Sequence, residues 1–215
     1  LQFVVSDFPM FGEGIQTRVI GTQDEGKTAW ANEDKILVHL YSQKYGDQAA
    51  TLTFDAENNT WESDGGTLSY LENETPTITA VYAPDCEIKE GQIALQDGKQ
   101  YGEAEYILAR TTISENSLDI NFESGRTYSR LRIVAEAEQT LTVTTTGFTP
   151  AGHENVSEPE SYTLVADGKD NAYLYGTFAE GGSVTVKKED AELATHTFSV
   201  TSEQGKSYAL YAGKK

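Results

Sequence analysis

The chain has 215 residues, enough for one large or two small domains, and 38% of them are hydrophobic, which excludes wholesale disorder. The 16 Lys and Arg residues against 34 Asp and Glu residues give a formal net charge of −18. Such a surface repels polyanions, so nucleic-acid binding and adsorption on an anionic membrane are excluded. The single cysteine, Cys86, allows no intrachain disulfide, and we expect it to be a small buried residue. No apolar run is long enough to span a membrane.

Short strands begin at the N-terminus. Phe3, Val4 and Val5 form the first predicted strand, and residues 17–20 form the second. Residues 35–41 are apolar at alternate positions on both faces. That pattern predicts a central strand that is covered on both sides.

Turn residues divide the rest of the first half. Residues 55–59 are rich in Asp and Asn and predict a hairpin between strands at 50–54 and 60–61. Further strands are predicted over residues 75–82 and 105–111. No segment has the pattern of a helix longer than a single turn.

Alternation with a period of two continues through the second half, in stretches rich in Thr, Val, Tyr and Phe. The positions that share a face are Leu118 with Ile120 and Phe122, Leu131 with Ile133, Leu141 with Val143, Tyr162 with Leu164, Leu174 with Phe178, Val184 with Val186, His196 with Phe198, and Tyr208 with Leu210. Turn signals separate these stretches, among them Glu180-Gly181-Gly182. Strands that recur about every ten residues are typical of a sandwich or a barrel.

The boundary between two domains is predicted where one series of strands ends and the next begins. The last strand of the first half ends near Ile113, and the run that contains Leu118 starts a new series. We therefore predict an all-β protein with an N-terminal β-sandwich over residues 1–115 and a C-terminal β-sandwich over residues 116–215.

Motifs that carry catalysis or metal binding are absent from the sequence. It has no Gly-x-Ser-x-Gly motif, no phosphate-binding glycine loop and no HExxH, and its three histidines are scattered. We predict no catalytic residue, no cofactor and no metal, and a protein that is not an enzyme. A β-sandwich hydrolase with paired carboxylates is an alternative, but 34 acids single out no pair. Trp30, Trp61 and the tyrosines are interpreted as core residues rather than as a sugar-stacking platform.

Several segments, taken in order and spacing, resemble one family. They are Trp30-Ala31-Asn32-Glu33-Asp34-Lys35-Ile36, the hairpin from Phe54 to Trp61, Ile78-Thr79-Ala80-Val81-Tyr82-Ala83-Pro84, Leu118-Asp119-Ile120-Asn121-Phe122 with Arg130-Leu131-Arg132-Ile133, Asn171-Ala172-Tyr173-Leu174-Tyr175-Gly176, and Gly205-Lys206-Ser207-Tyr208-Ala209-Leu210. Together they resemble the fimbrillins, or type V pilins, which are exported lipoprotein precursors of Gram-negative surface fimbriae. Glu33 stands where that family usually has glycine, and Glu123 where many relatives have histidine.

The resemblance implies two transthyretin-like antiparallel β-sandwich domains in tandem, with no enzyme activity and no cofactor. It implies a cell-surface fimbrial (pilus) subunit or adhesin, located in a fimbrium or at the outer membrane, whose partners are other pilin subunits. No further apolar strand follows the one that contains Tyr208, which favours a tip or accessory position over the shaft. The alternative is a surface lipoprotein of the same fold that binds carbohydrate or a host ligand and never polymerises.

The resemblance also implies processing near the N-terminus. Arg18 is the only arginine before Arg110, and it lies roughly where the family is cut. Removal of Phe3, Val4 and Val5 with that segment would leave a groove that a neighbouring subunit's strand fills, as in β-augmentation. The chain begins without Met or a basic-then-apolar leader, so we expect a mature or truncated product of an exported protein.

Overall fold

A computed structural model describes residues 2–13, 27–64, 66–114, 117–153 and 160–213. All helical or strand structure in these ranges is β-strand, which confirms the predicted all-β fold. The strands are β1 (Gln2–Val5), β2 (Gly12–Glu13), β3 (Lys35–Ser42), β4 (Gly46–Asp55), β5 (Thr60–Ser63), β6 (Thr77–Tyr82), β7 (Cys86–Lys89), β8 (Gln92–Leu95), β9 (Ile107–Leu108), β10 (Arg110–Ile113), β11 (Ser117–Asn121), β12 (Ser129–Val134), β13 (Thr140–Pro150), β14 (Glu160–Val165), β15 (Asn171–Lys188), β16 (Ala191–Thr197) and β17 (Lys206–Tyr211). The part of the chain that the structure describes contains no helix with the length and apolar character needed to cross a membrane.

The chain divides into two compact units, each with its own hydrophobic core. Among the described residues, unit 1 consists of 2–10, 27–64, 66–99, 105–114 and 117–126. Unit 2 consists of 11–13, 100–104, 127–153 and 160–213.

The division between the units differs from the predicted boundary at residues 115 and 116. β11 pairs with β1 and β10 and belongs to unit 1, so the later division falls between Arg126 and Thr127. The alternation of Leu118 and Ile120 predicted a strand correctly. Alternation shows which face of a strand is buried, but it does not identify the partner strands.

Unit 1 is a sandwich of two sheets. A five-stranded sheet has the order β5-β4-β3-β6-β9, and a three-stranded sheet has the order β1-β11-β10. The core takes residues from both sheets, and its buried members are Phe8, Ile36, Val38, Leu52, Ala80, Tyr82, Ile107, Leu118, Ile120 and Phe122. Burial of this shared apolar surface holds the two layers together.

β3 is covered on both faces along most of its length, which confirms the prediction of a covered central strand, whereas Tyr41 near its end is 46% exposed. Ile36 and Val38 lie in the core between the sheets and are 0% exposed. Leu37 lies on the opposite face, in a second cluster with Val81 and Cys86. The antiparallel hairpin of β7 and β8 contributes apolar residues to that cluster.

Unit 2 is built from one continuous sheet of seven strands. Its order is β14-β13-β15-β12-β17-β2, and β16 also pairs with β15. The first part of β15 pairs with β12, and the last part pairs with β16. β13 pairs with both parts of β15, so these two long strands connect the side of the sheet that contains β12 with the side that contains β16.

The register between β13 and β15 shifts abruptly near the middle of both strands. Thr146 pairs with Ser183, whereas Phe148 pairs with Phe178, so residues 179–182 bulge out of the ladder. The predicted turn at Glu180-Gly181-Gly182 is therefore wrong as a separator of two strands, because it is an irregularity within one strand. Glycine serves this position because bulges need unusual backbone angles, and Gly181 has φ +78°.

The core of unit 2 contains most of the apolar positions that the alternation predicted. Its fully buried large side chains include Tyr162, Leu174 and Phe178. The Phe178 ring stacks on Phe198 with ring centroids 4.3 Å apart. Each of the strands β12 to β17 contributes side chains to this cluster, so a single core stabilises six of the seven strands.

Candidate functional site

The N-terminal strand is held at the edge of the three-stranded sheet of unit 1. β1 runs parallel to β11, with Phe3 opposite Leu118 and Val5 opposite Ile120. Phe3 and Val5 are half-buried against the core, whereas Val4 points outward and is 49% exposed. Alternation within β1 therefore places two of its apolar side chains in the core. The predicted strand is present, and its removal remains a prediction.

Ser6 anchors the end of β1 with three hydrogen bonds. Its backbone N–H donates to the carbonyl oxygen of Ile120 at 3.0 Å, and its Oγ accepts from the N–H of Phe122 at 2.9 Å. The Ser6 carbonyl oxygen accepts a hydrogen bond from Nε1 of Trp30 at 2.8 Å. These bonds extend the strand pairing by one residue and orient the chain that follows.

Phe8 is the most deeply buried residue of this segment, with 5% of its surface exposed. Its ring lies nearly perpendicular to the rings of Trp30 and Tyr82, at centroid distances of 4.9 and 5.5 Å. Two cations also face it, with Lys27 Nζ 5.2 Å and Arg126 Cζ 5.4 Å from the ring centroid. We call the space that these four side chains enclose the Phe8 pocket.

Both cations of the Phe8 pocket are fixed by other groups. Arg126 donates from Nε to the carbonyl oxygen of Pro9 at 2.7 Å and from an NH2 group to Glu105 at 2.6 Å. The side chains of this ion pair are 5% and 11% exposed. Lys27 pairs with Asp34 and donates to the hydroxyl of Tyr82 at 3.0 Å. The carboxylates compensate the two charges, so the pocket is not a free cationic site.

Trp30 and Trp61 belong to the same aromatic cluster and do not form an exposed platform. Their ring centroids lie 5.0 Å apart in a perpendicular arrangement, and Trp30 also contacts Phe122 at 5.5 Å. Both tryptophans pack against the core of unit 1. This confirms their interpretation as core residues.

Arg18, the predicted processing site, lies outside the described residues, as does the predicted strand at 17–20. The segment that a cut after Arg18 would remove contains β1, Ser6 and Phe8. It also contains β2, which pairs with β17 over only two residues.

Cys86 is buried, as the sequence predicted, with 7% of its surface exposed. Burial, followed by the nearby charge of Asp85, raises the pKa of the thiol from 9.0 to about 11. The residue lines a groove of about 420 Å³ together with Leu37, Ala83 and Ile88. A raised pKa disfavours the thiolate, which is opposite to what a nucleophilic cysteine needs.

The histidines lie at separate places in the fold. His39 Nε2 lies 2.8 Å from Asp47 Oδ1 and 3.2 Å from Nε2 of Gln92. The His196 ring meets the Phe198 ring edge-on at 4.8 Å. No group of three or more His, Cys, Asp or Glu side chains within the described ranges is arranged to hold a metal ion.

Sequence reasoning missed a second feature, a hydrogen-bonded turn with exposed tyrosines in unit 1. Glu74 accepts hydrogen bonds from the Oγ of Ser42 at 2.9 Å and from the backbone N–H groups of Gln43 and Leu71. The Gln43 bond is the largest cause that holds the pKa of the Glu74 carboxyl below its ordinary value. The neighbouring Tyr45 is 47% exposed. We call residues 41–45 and 70–74 the tyrosine tip.

The sequence contains a weak local signal for one half of the tyrosine tip. Ser42 is fully buried although it lies next to an exposed turn, and its Oγ accepts from the N–H groups of Lys44 and Tyr45 at 3.2 Å. A serine just before a hairpin turn that ends in glycine is a common local signal of such a turn. The partner Glu74 lies 32 residues away, and nothing in the local sequence marks it as the second half of the arrangement.

No family model matches the sequence, and no curated protein matches it. One similar solved structure is that of a candidate cell adhesion protein from Bacteroides fragilis NCTC 9343, with 10% identity, a TM-score of 0.40, and coverage of 98% of this chain and 92% of that chain. Another is a fimbrial protein from Bacteroides ovatus ATCC 8483, with 11% identity, a TM-score of 0.43, and coverage of 99% of this chain and 48% of that chain. This chain thus spans about half of the second protein. The names of these two proteins agree with the family that the sequence resembles. Identities and TM-scores this low, however, carry no argument about function.

Proposed function

We propose that this chain is a cell-surface fimbrial subunit or adhesin, that it is not an enzyme, and that it assembles by exchange of its first strand. In this proposal a protease cuts after Arg18, the segment that contains β1 leaves, and a strand from another pilin subunit takes its place. The sequence resemblance supports a location at the cell surface, in a fimbrium or at the outer membrane.

The position of β1 is the observation that carries the proposal. β1 is the end strand of a three-stranded sheet, and it comes from the first residues of the chain. Within the described ranges it pairs with one strand, β11, and the pairing is parallel. A terminal strand at a sheet edge is the element that a fold loses with the least disturbance of the remaining strand pairs.

The side chains on this segment explain why the vacancy would attract a replacement. Removal of Phe8 would take a buried ring out of the core, and full burial of such a side chain contributes about 1.5–3 kcal/mol. Phe3 and Val5 would add part of the same amount, because each is half-buried. Arg126 would lose both the Pro9 carbonyl and the Phe8 ring. The trimmed protein should therefore be several kcal/mol less stable.

The unpaired backbone of β11 provides a second driving force for the binding of a replacement strand. Without β1, the outer edge of β11 presents unpaired N–H and C=O groups beside the buried faces of Leu118 and Ile120. An open edge next to an apolar groove is a template for an incoming strand. An incoming strand would satisfy the hydrogen bonds and cover the groove at the same time.

Controlled cleavage tests the proposal. The chain is treated with a trypsin-like protease, the N-terminal segment is separated, and the melting temperature and the oligomeric state are measured. We expect a cut after Arg18, a lower melting temperature and self-association. The Arg18→Gln variant, treated in the same way, should keep its N-terminal segment and stay monomeric. A trimmed chain that keeps its melting temperature and remains monomeric would contradict strand exchange.

The tyrosine tip favours a second candidate, a surface lipoprotein that binds carbohydrate and does not polymerise. Tyr41 and Tyr45 are 46% and 47% exposed, and the Glu74 hydrogen bonds fix the turn that carries them. Exposed tyrosines on a rigid turn offer apolar faces and hydroxyl groups at low entropic cost, which suits a neutral sugar. Calorimetric titration with neutral oligosaccharides should then detect binding that Tyr45→Ala abolishes and Val200→Ala, an exposed change elsewhere, does not.

A further inference from the structure

We propose that the Phe8 pocket selects an aromatic side chain on the strand that replaces β1. This inference rests on the proposed function, because it concerns the partner that would occupy the vacated groove. It adds a specificity rule: the incoming strand carries Phe or Tyr at the position that corresponds to Phe8, and an aliphatic residue there is discriminated against.

The walls of the pocket are suited to a ring. The rings of Trp30 and Tyr82 lie nearly perpendicular to the Phe8 ring, with centroids 4.9 and 5.5 Å away. Perpendicular contacts of this kind depend on the negative face and positive edge of an aromatic system. A branched aliphatic side chain fills a similar volume but has no such charge distribution.

The two cations strengthen this preference. Lys27 Nζ and Arg126 Cζ lie 5.2 and 5.4 Å from the ring centroid, within the range of cation–π attraction. Each is already paired with a carboxylate, Lys27 with Asp34 and Arg126 with Glu105. Because the charges are compensated, an acidic side chain would bring a third carboxylate against two existing ones. A neutral aromatic ring leaves both ion pairs intact and, unlike an aliphatic side chain, also attracts both cations.

The spacing from Phe3 in β1 to Phe8 beyond it gives the sequence pattern that we expect in the incoming strand. Phe3 and Val5 fill two shallow positions, Ser6 accepts a hydrogen bond from the Phe122 N–H, and Phe8 fills the pocket two residues further on. An incoming strand that reproduces these contacts carries apolar residues at the positions of Phe3 and Val5, a small hydroxyl residue at the position of Ser6 and an aromatic residue at that of Phe8. The two remaining positions can hold any residue.

Peptide exchange on the full chain tests the rule. A specific protease site is inserted after Arg18, so that the cut chain still holds its own N-terminal segment. Fluorescent peptides with the sequence of residues 1–18 are then added in excess, and fluorescence anisotropy measures their apparent affinity. One peptide has the native sequence, two carry Phe8→Tyr or Phe8→Leu, and a Phe3→Leu peptide is the matched control at a half-buried position.

We expect Phe8→Leu to weaken binding by at least about tenfold, with Phe8→Tyr and Phe3→Leu within about threefold of the native peptide. A Lys27→Gln chain should lower the ratio of affinities for the native and Phe8→Leu peptides, and this ratio does not depend on the overall stability of the chain. Equal binding of all four peptides would overturn the aromatic rule and leave strand exchange standing. Failure of every peptide to exchange would overturn both.

Discussion

The two units of this chain close their cores in different ways. In unit 2, the long strands β13 and β15 pair with each other, and β12, β14 and β16 each pair with one of them. In unit 1, one layer has three strands within the described residues, and one of its edges is β1, near the start of the chain. A cut after Arg18 would take the four-residue β1 from the small sheet of unit 1 but only the two-residue β2 from the sheet of unit 2, so we expect the larger effect of the cut in unit 1.

The largest effect is expected from a change in the core of unit 2. Phe178→Ala removes a ring that is 1% exposed and stacks on Phe198, and should cost about 3–5 kcal/mol. Amide hydrogen exchange should show lost protection in β13 and β15. The exposed Val165→Ala, 60% exposed in the same unit, is the control and should change stability by less than about 0.5 kcal/mol. Self-association of the Phe178→Ala protein through the edge of β11 would contradict the contrast between the units.

The next effect concerns the second face of β3 in unit 1, where Cys86 is buried. Its pKa is about 11 in the folded chain against 9.0, so the folded state holds the proton more tightly. The resulting stabilisation is fully present below pH 9 and is lost as the pH rises towards 11. We expect about 1–2 kcal/mol, after allowance for remaining solvent contact.

Denaturation curves of the wild type and Cys86→Ala between pH 7 and pH 11 measure this loss. The variant should be less sensitive to pH across the window from 9 to 11. Thiol-reactive reagents should also modify the folded wild type slowly at pH 8. Rapid modification, or identical pH profiles for the two proteins, would show that the thiol is not buried as described.

A smaller effect is expected in β1 itself. Val5→Ala removes part of a half-buried side chain and should cost about 1 kcal/mol. In a chain cut after Arg18, the same change should speed release of the N-terminal segment by about fivefold, given that 1.4 kcal/mol is tenfold in an equilibrium constant. Val4→Ala, on the exposed side of the strand, is the control. If both variants release the segment at the native rate, then the inward face of β1 contributes nothing to its retention.

The smallest effect concerns Glu33, which has φ +69°, a left-handed conformation that favours glycine. The family that the sequence resembles usually has glycine at this position, and the structure supplies the physical reason for that preference. Glu33→Gly should raise stability by about 0.5 kcal/mol, because relief of backbone strain exceeds the added flexibility of the unfolded chain. Glu33→Ala, which keeps a Cβ, should give no gain, and a gain equal to that of glycine would contradict the explanation.

Local patterns predicted the fold class but not the partners of each strand. The alternation around Leu118 identified β11, and the apolar faces of residues 35–41 identified a strand covered on both sides. The same alternation could not show that β11 pairs with β1, more than 110 residues earlier in the chain. Partner choice depends on contacts between distant segments, which a local period does not encode.

The candidate site was predicted only in part for the same reason. Phe3, Val4 and Val5 are visible in the sequence as a short apolar run, and the structure places them in β1. The Phe8 pocket could not be predicted, because Lys27, Tyr82 and Arg126 come from three separate segments. The Glu74 hydrogen bonds to Ser42 and Gln43 likewise join turns that are far apart in the chain.

The central claim, that β1 is a replaceable strand, is tested most directly by amide hydrogen exchange of residues 117–121. The intact chain, the trimmed monomer and the assembled trimmed chain are compared, with β12 of unit 2 as the internal reference. We expect the amides of β11 that face β1 to be protected in the intact chain, unprotected in the trimmed monomer and protected again after assembly, while those that face β10 and those of β12 stay protected throughout. Unchanged protection of β11 in the trimmed monomer would contradict the claim, because β11 would not depend on β1 or on any replacement for it.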